Sequence, residues 1–126
     1  MMEVLIEKYK EADYEQLMQL IRSEGEEWES YLNPRYKLNL EQSITYVARV
    51  QKELCGYSRA MLDQGYFIWV IDLLVDRNYR GNGIGKKLLD CIKHDHPDLE
   101  IYVMSDVDPY YEKMGYQKEG SIFKIE

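Results

Sequence analysis

Leu73-Leu74-Val75-Asp76-Arg77-Asn78-Tyr79-Arg80-Gly81-Asn82-Gly83-Ile84-Gly85-Lys86-Lys87-Leu88-Leu89 is the stretch that decides the fold. It closes the β-branched and aromatic run Tyr66 to Val75, which reads as a strand buried on both faces for part of its length. Beyond it, Ile84, Leu88, Leu89 and Ile92 share one side of a helix, which His96-Pro97 ends because the residue before proline is pushed out of the helical region. The glycines between allow positive φ and let a ligand approach the backbone. The helix start adds unpaired N–H groups and a partial positive charge. Arg80, Lys86 and Lys87 gather at the helix end that normally prefers acids, in a chain of net charge −7. A bound anion explains them, and a diphosphate suits the geometry. The alternative is a plain tight turn with solvated lysines.

Other phosphate motifs fail on spacing. A Walker A loop needs G-x-x-x-x-G-K-[ST], but Arg80 stands five before Gly85 and Lys87 follows Lys86. A dinucleotide fingerprint needs G-x-G-x-x-G early in a βαβ unit, whereas here G-x-G-x-G lies mid-chain behind predicted helices.

Working outward, Glu3 to Tyr9 reads as a strand, and Asp13 is placed to cap a helix carrying Leu17, Leu20 and Ile21 that ends near Gly25. Glu26 to Asn39 shows no period and is expected to be an ordered loop. Ile44, Val47 and Ala48 predict a second helix from Leu40 to about Val50. Leu54 to Leu62 reads as a strand joined to Tyr66–Val75 by the Asp63-Gln64-Gly65 turn signal. A strand from Leu99 to Met104, a short helix from Pro109 to Met114 and a closing strand or hairpin from Tyr116 to Ile125 complete the reading. The order β-α-α-β-β-α-β-α-β predicts an α+β domain, a three-layer α/β arrangement with a mixed sheet flanked by helices, and one domain over residues 1–126.

Composition narrows the function. The chain has 126 residues, 45 % hydrophobic and 31 % charged, enough for one unstapled core. Asp and Glu number 23 against 16 Lys and Arg, a balance that disfavours nucleic acid and attracts protonated amines. Cys55 and Cys91 lack zinc or disulfide-framework spacing. No basic leader or span-length apolar run is seen, so the expectation is a cytoplasmic protein that does not engage a membrane. His94 and His96 stand without further ligand types, so no metal is expected.

Arg80-x-x-Gly83-x-Gly85 resembles the R/Q-x-x-G-x-G/A signature of the GNAT superfamily of N-acetyltransferases, and Tyr110-Tyr111-Glu112-Lys113-Met114-Gly115-Tyr116 resembles the F-Y-E-K-x-G-F stretch of the same family. The two motifs occur in the family's order, and the likeness covers Leu54 onward. It implies a mostly antiparallel, splayed sheet of the acyl-CoA N-acyltransferase fold, with acetyl-CoA as cosubstrate. The strand ending Leu73, Leu74, Val75 would pair with the pantetheine arm, and the segment Arg80, Gly81, Asn82, Gly83, Ile84, Gly85, Lys86 would hold the diphosphate. The sequence departs from the family in lacking Asn-x-x-Ala upstream, where Met104 and Val107 stand; Ser105 or Asp106 is placed to cap the short helix instead.

Transfer from a thioester to an amine needs an unprotonated amine, a polarised carbonyl and a protonated leaving thiolate. A backbone N–H near Leu74 or Val75 suits the second task. The resemblance gives Tyr111 the role of general acid, with Tyr110 as fallback. Asp72, on the cofactor strand, is the candidate base, followed by Glu26 and Glu27. Glu24, Glu26, Glu27 and Glu29 around Trp28 would select a cationic acceptor, or form a charged solvent-facing loop. The expected activity is direct transfer in a ternary complex to a primary amine on a small molecule or peptide. A non-catalytic acyl-CoA-binding or sensing module and a ligand-free structural partner are the alternatives. A homodimer is compatible with the sequence.

Overall fold

The computed structural model describes residues 2–126. A five-stranded sheet has the order β1 (Leu5–Lys8), β2 (Ile44–Val50), β3 (Glu53–Asp63), β4 (Phe67–Val75), β5 (Glu100–Val103). The first three pairings are antiparallel and β4 with β5 is parallel. The sheet is therefore mixed and mostly antiparallel. The helices are α1 (Tyr14–Glu24), α2 (Tyr36–Gln42), α3 (Ile84–Asp95) and α4 (Asp108–Lys113).

Four sequence expectations are corrected, three of them in secondary structure. Leu40 to Val50 is not a helix: α2 ends at Gln42 and Ile44–Val50 is strand β2. Both faces of β2 are covered, Tyr46, Ala48 and Val50 toward α3 and Val47 toward α1, so its apolar residues do not alternate and mimic a helical spacing. The expected loop 26–39 contains a 3-10 turn at Glu26–Leu32 and the start of α2. Tyr116 to Ile125 forms no strand. Its start is held on α4 instead, where Tyr116 N–H donates to the Tyr111 carbonyl at 3.2 Å.

Asp13 is the residue before α1, but its side chain makes no cap bond to that helix. Its carboxylate is buried, pairs with Arg49 and accepts the Lys10 N–H at 3.0 Å. A buried carboxylate goes to the strongest available partner, here a guanidinium that ties α1 to β2.

Two apolar layers sandwich the sheet. Ile84, Leu88 and Ile92 of α3 pack on Tyr46, Ala60, Ile68 and Val70. On the other side Leu17 and Ile21 of α1, with Tyr36 and Leu40 of α2, pack on Val47, Tyr57 and Leu74.

A β-bulge positions the site. Arg59 pairs with Asp72 but Ala60 pairs with Val70, so Ile71 is an extra residue in β4. An extra residue exchanges the two faces of a strand, because side chains alternate with a period of two. Ile68 and Val70 accordingly join the α3 layer, whereas Asp72 and Leu74 point into the α1/α2 side. A bulge also bends its strand. Pairing of β4 with β5 stops at Val70, where Val70 faces Val103 and its carbonyl accepts Met104 N–H at 3.0 Å. From Ile71 to Val75, β4 continues with β3 on one side and no β5 ladder on the other.

Candidate active site

The open length of β4 leads straight into the glycine-rich turn. Asp76 accepts the Asn78 N–H at 2.8 Å and starts a 3-10 turn over Arg77–Tyr79. Gly81 and Gly83 both adopt left-handed backbone, φ 84° and 75°, and a Cβ on either would meet nothing within 4 Å. The space before the turn is thus open. The first bond into α3 runs from Lys87 N–H to the Gly83 carbonyl at 3.0 Å, so Ile84, Gly85 and Lys86 precede it with N–H groups at the positive end of the helix. A diphosphate fits this arrangement, and no side chain caps the helix.

The side chains of the turn differ from expectation in one respect. Arg80 is not free to compensate an anion: Nη2 donates to both carboxylate oxygens of Glu24, at 2.9 and 2.7 Å, and Nε donates to the Val75 carbonyl at 2.8 Å. Lys86 is paired with Asp90 at 2.8 Å, one helical turn on. The backbone carries the cradle.

Gly85 is glycine for a separate reason. A Cβ there would fall 1.9 Å from the Tyr110 hydroxyl. Tyr110, on α4, therefore lies against the first turn of α3, edge to face with Tyr111 at 5.0 Å between centroids. Burial, then the neighbouring Tyr116, raises the Tyr110 pKa. Tyr111 packs against the α3-side core and faces β5. Burial is the main cause that pushes its phenol up to about 12, with Tyr110 and Asp106 adding to it. Such a hydroxyl stays protonated through the neutral range. Val107 precedes α4 without a side-chain cap; Ser105 accepts the Val107 N–H at 3.1 Å and donates to Asp108 at 2.8 Å, while Asp106 is not used.

The bulge carries Asp72 away from the open edge. It is 3 % exposed, and one carboxylate oxygen accepts both Arg59 Nε at 2.6 Å and the Tyr36 hydroxyl at 2.7 Å. Tyr36 also shares a hydrogen bond of 2.9 Å with the Tyr57 hydroxyl. The Tyr31 ring lies against Tyr36, tilted by 31° with centroids 4.5 Å apart, and beside the same carboxylate. Burial first, then Asp72, pushes the Tyr31 phenol up to about 12. Trp28 completes an aromatic wall, 5.5 Å from Tyr31 and 6.4 Å from Tyr57. This Arg59–Asp72–Tyr36 network was not foreseen as a unit. One signal was available: each of the two apolar strands flanking the Asp63-Gln64-Gly65 turn signal holds a single charged residue, Arg59 in one and Asp72 in the other.

Glu26, Glu27 and Glu29 are exposed around Trp28, whereas Glu24 is turned inward to Arg80. Among the described residues no group of three His, Cys, Asp or Glu side chains is placed to hold a metal. His94 instead faces Asp95, and His96 the Ile92 carbonyl. No helix of the described residues is long and apolar enough to cross a membrane.

Comparison with known proteins agrees with this geometry. Residues 41–118 match the acetyltransferase (GNAT) domain family. A histone acetyltransferase from Glycine max is 30 % identical over 74 residues, covering 55 % of this chain and 32 % of its own length. The chain thus spans about a third of that relative. An uncharacterised N-acetyltransferase from Pyropia yezoensis is 24 % identical, covering 93 % of this chain and 72 % of its own. In fold, a GNAT-family acetyltransferase from Streptococcus pneumoniae superposes with a TM-score of 0.77 at 20 % identity, covering 98 % of both chains. An aminoglycoside N-acetyltransferase solved with CoA superposes with a TM-score of 0.74 at 14 % identity, covering 100 % of this chain and 96 % of its own. The strand–turn–helix junction, the parallel pair that parts after Val70 and the match over more than half its length show that the chain belongs to the GNAT superfamily of acetyltransferases.

Proposed function

We propose that the protein transfers an acetyl group from acetyl-CoA to a primary amine, directly and within a ternary complex. One observation carries this reading: the unladdered edge Ile71–Val75 is joined by the glycine-rich turn 76–83 to an uncapped helix N-terminus. An extended arm can hydrogen-bond along the first while a diphosphate sits on the second. Acetyl-CoA supplies the acyl group as a thioester.

The residues then divide the work. Backbone groups of Leu73, Leu74 and Val75 hold the arm, and an N–H at Leu74 or Val75 polarises the acyl carbonyl. The N–H groups from Gly81 through Asn82, Gly83, Ile84 and Gly85 to Lys86 hold the diphosphate, with the Arg80 side chain bracing the turn. Tyr111, protonated at neutral pH, gives its proton to the departing sulfur; burial makes it a weaker acid, so the transfer comes late, as charge builds on the sulfur. Asp72 works from behind the hydroxyls of Tyr31 and Tyr36 and takes up the amine's proton by relay, since the amine cannot reach it directly. The exposed glutamates 26, 27 and 29 draw in a cationic acceptor. Solved structural neighbours include aminoglycoside acetyltransferases, one of them in complex with sisomicin, which is in keeping with a small-molecule amine as acceptor.

Thiol release from acetyl-CoA with a panel of amines tests the proposal. Amine-dependent release that is lost in Tyr111→Phe supports it. Coenzyme A binding with no release on any amine would leave a non-catalytic acyl-CoA-binding module.

A further inference from the structure

We propose that Glu24 is a positioning residue for the cofactor turn: it holds Arg80 folded back on β4 and so fixes residues 76–83 in their binding shape. This rests on the coenzyme A reading above.

Glu24 is the last residue of α1, before Gly25 turns the chain with φ 117°. Its helix is a firm post, since Leu17, Leu20 and Ile21 are at most 4 % exposed. Two arginines of the turn tie it to that post, and one of them also to β4. Arg77 Nη2 donates to the Glu24 backbone carbonyl at 2.7 Å, filling one of the acceptors a helix end leaves open. Arg80 Nη2 meets both Glu24 carboxylate oxygens. Arg80 Nε holds the carbonyl of Val75, the last residue of the open edge. Inside the turn, Asp76 holds Asn78 N–H, and Asn82 Nδ2 donates to the Tyr79 carbonyl at 2.9 Å. The turn is thus braced from within and from α1, while Gly81 and Gly83 leave its mouth open.

Two effects of opposite sign compete when the carboxylate is removed. Loss of a negative charge beside an anion site favours binding, but the Arg80 side chain is 48 % exposed and salt screens that term. Loss of the brace leaves a turn that must order itself on the ligand, which weakens binding. The Glu24 side chain is only 14 % exposed and meets Arg80 through both carboxylate oxygens, so the brace dominates.

Calorimetric titration of the full chain with coenzyme A tests this, using wild type, Glu24→Gln and Arg80→Lys, each with its thermal melt. The expected result is a roughly five- to tenfold weaker Kd in Glu24→Gln, measured well below a melting temperature close to that of wild type. Arg80→Lys, which keeps the charge but not the two-sided contact, should shift the same way. Unchanged or tighter coenzyme A binding in Glu24→Gln would overturn the assignment. So would a loss of affinity seen only together with a collapsed melting temperature, which would make Glu24 a stability residue. Wild type that fails to bind coenzyme A strikes the cofactor reading itself.

Discussion

Gly83 and Gly85 stand two residues apart, yet they lack side chains for opposite reasons. Gly83 precedes α3 with φ 75° and ψ 16°, and a Cβ there would meet no atom within 4 Å. Gly83→Ala therefore incurs only the left-handed backbone penalty, roughly 1–2 kcal/mol. Gly85 lies inside α3, where alanine is favoured over glycine by about 1 kcal/mol. Against that gain, the new Cβ would fall 1.9 Å from the Tyr110 hydroxyl and 3.2 Å from its Cζ. The obstacle is the tip of a side chain already 41 % exposed, which can swing outward at the loss of part of its packing, roughly 1 kcal/mol. The two terms nearly cancel. Differential scanning calorimetry should show Gly83→Ala melting roughly 3–8 °C below wild type and Gly85→Ala within about 3 °C of it. Coenzyme A affinity should fall more in Gly83→Ala, which tilts the N–H groups of the cradle. Greater damage from Gly85→Ala than from Gly83→Ala, in melting or in binding, would refute the reasoning.

Further outcomes follow from the same geometry. Tyr111→Phe is expected to lower turnover at least roughly tenfold with coenzyme A affinity unchanged, and Tyr110→Phe much less; steady-state kinetics beside calorimetry would show which hydroxyl acts. Asp72→Asn leaves Arg59, 7 % exposed, without its counter-charge and should cost roughly 3–5 kcal/mol in urea unfolding, more than Asp72→Leu combined with Arg59→Met. Tyr31 and Tyr111 are both pushed up to about 12 by burial, so the folded state keeps protons that the unfolded chain releases near pH 10. Their contribution to stability is full below about pH 10 and is lost as pH rises toward 12; an alkaline melt series should decline over that window, and a flat response would contradict the burial of these phenols.

The junction from Leu73 to Leu89 was legible because each part is locally coded: a β-branched run, glycines that take positive φ at 81 and 83, and a one-sided apolar helix. Strand β2 was not, because a strand covered on both faces shows no alternation, and Ile44, Val47 and Ala48 then imitate a helix. The bulge at Ile71 leaves no local mark either, yet it decides which face Asp72 takes. Without it, Asp72 reads as a cleft carboxylate; with it, the residue is locked to Arg59 and Tyr36. The Glu24–Arg80 tie joins residues 56 apart in sequence, and only the packing of α1 against the sheet brings them together.

Titration of the isotopically labelled protein with coenzyme A, followed by amide chemical shifts, tests the central claim most directly. The account predicts saturable shifts concentrated at Gly81, Gly83, Ile84, Gly85 and Lys86 and along Ile71–Val75, with β1 and the distal end of α3 undisturbed. No shift at those glycines at millimolar coenzyme A, or shifts clustered elsewhere on the sheet, would contradict it.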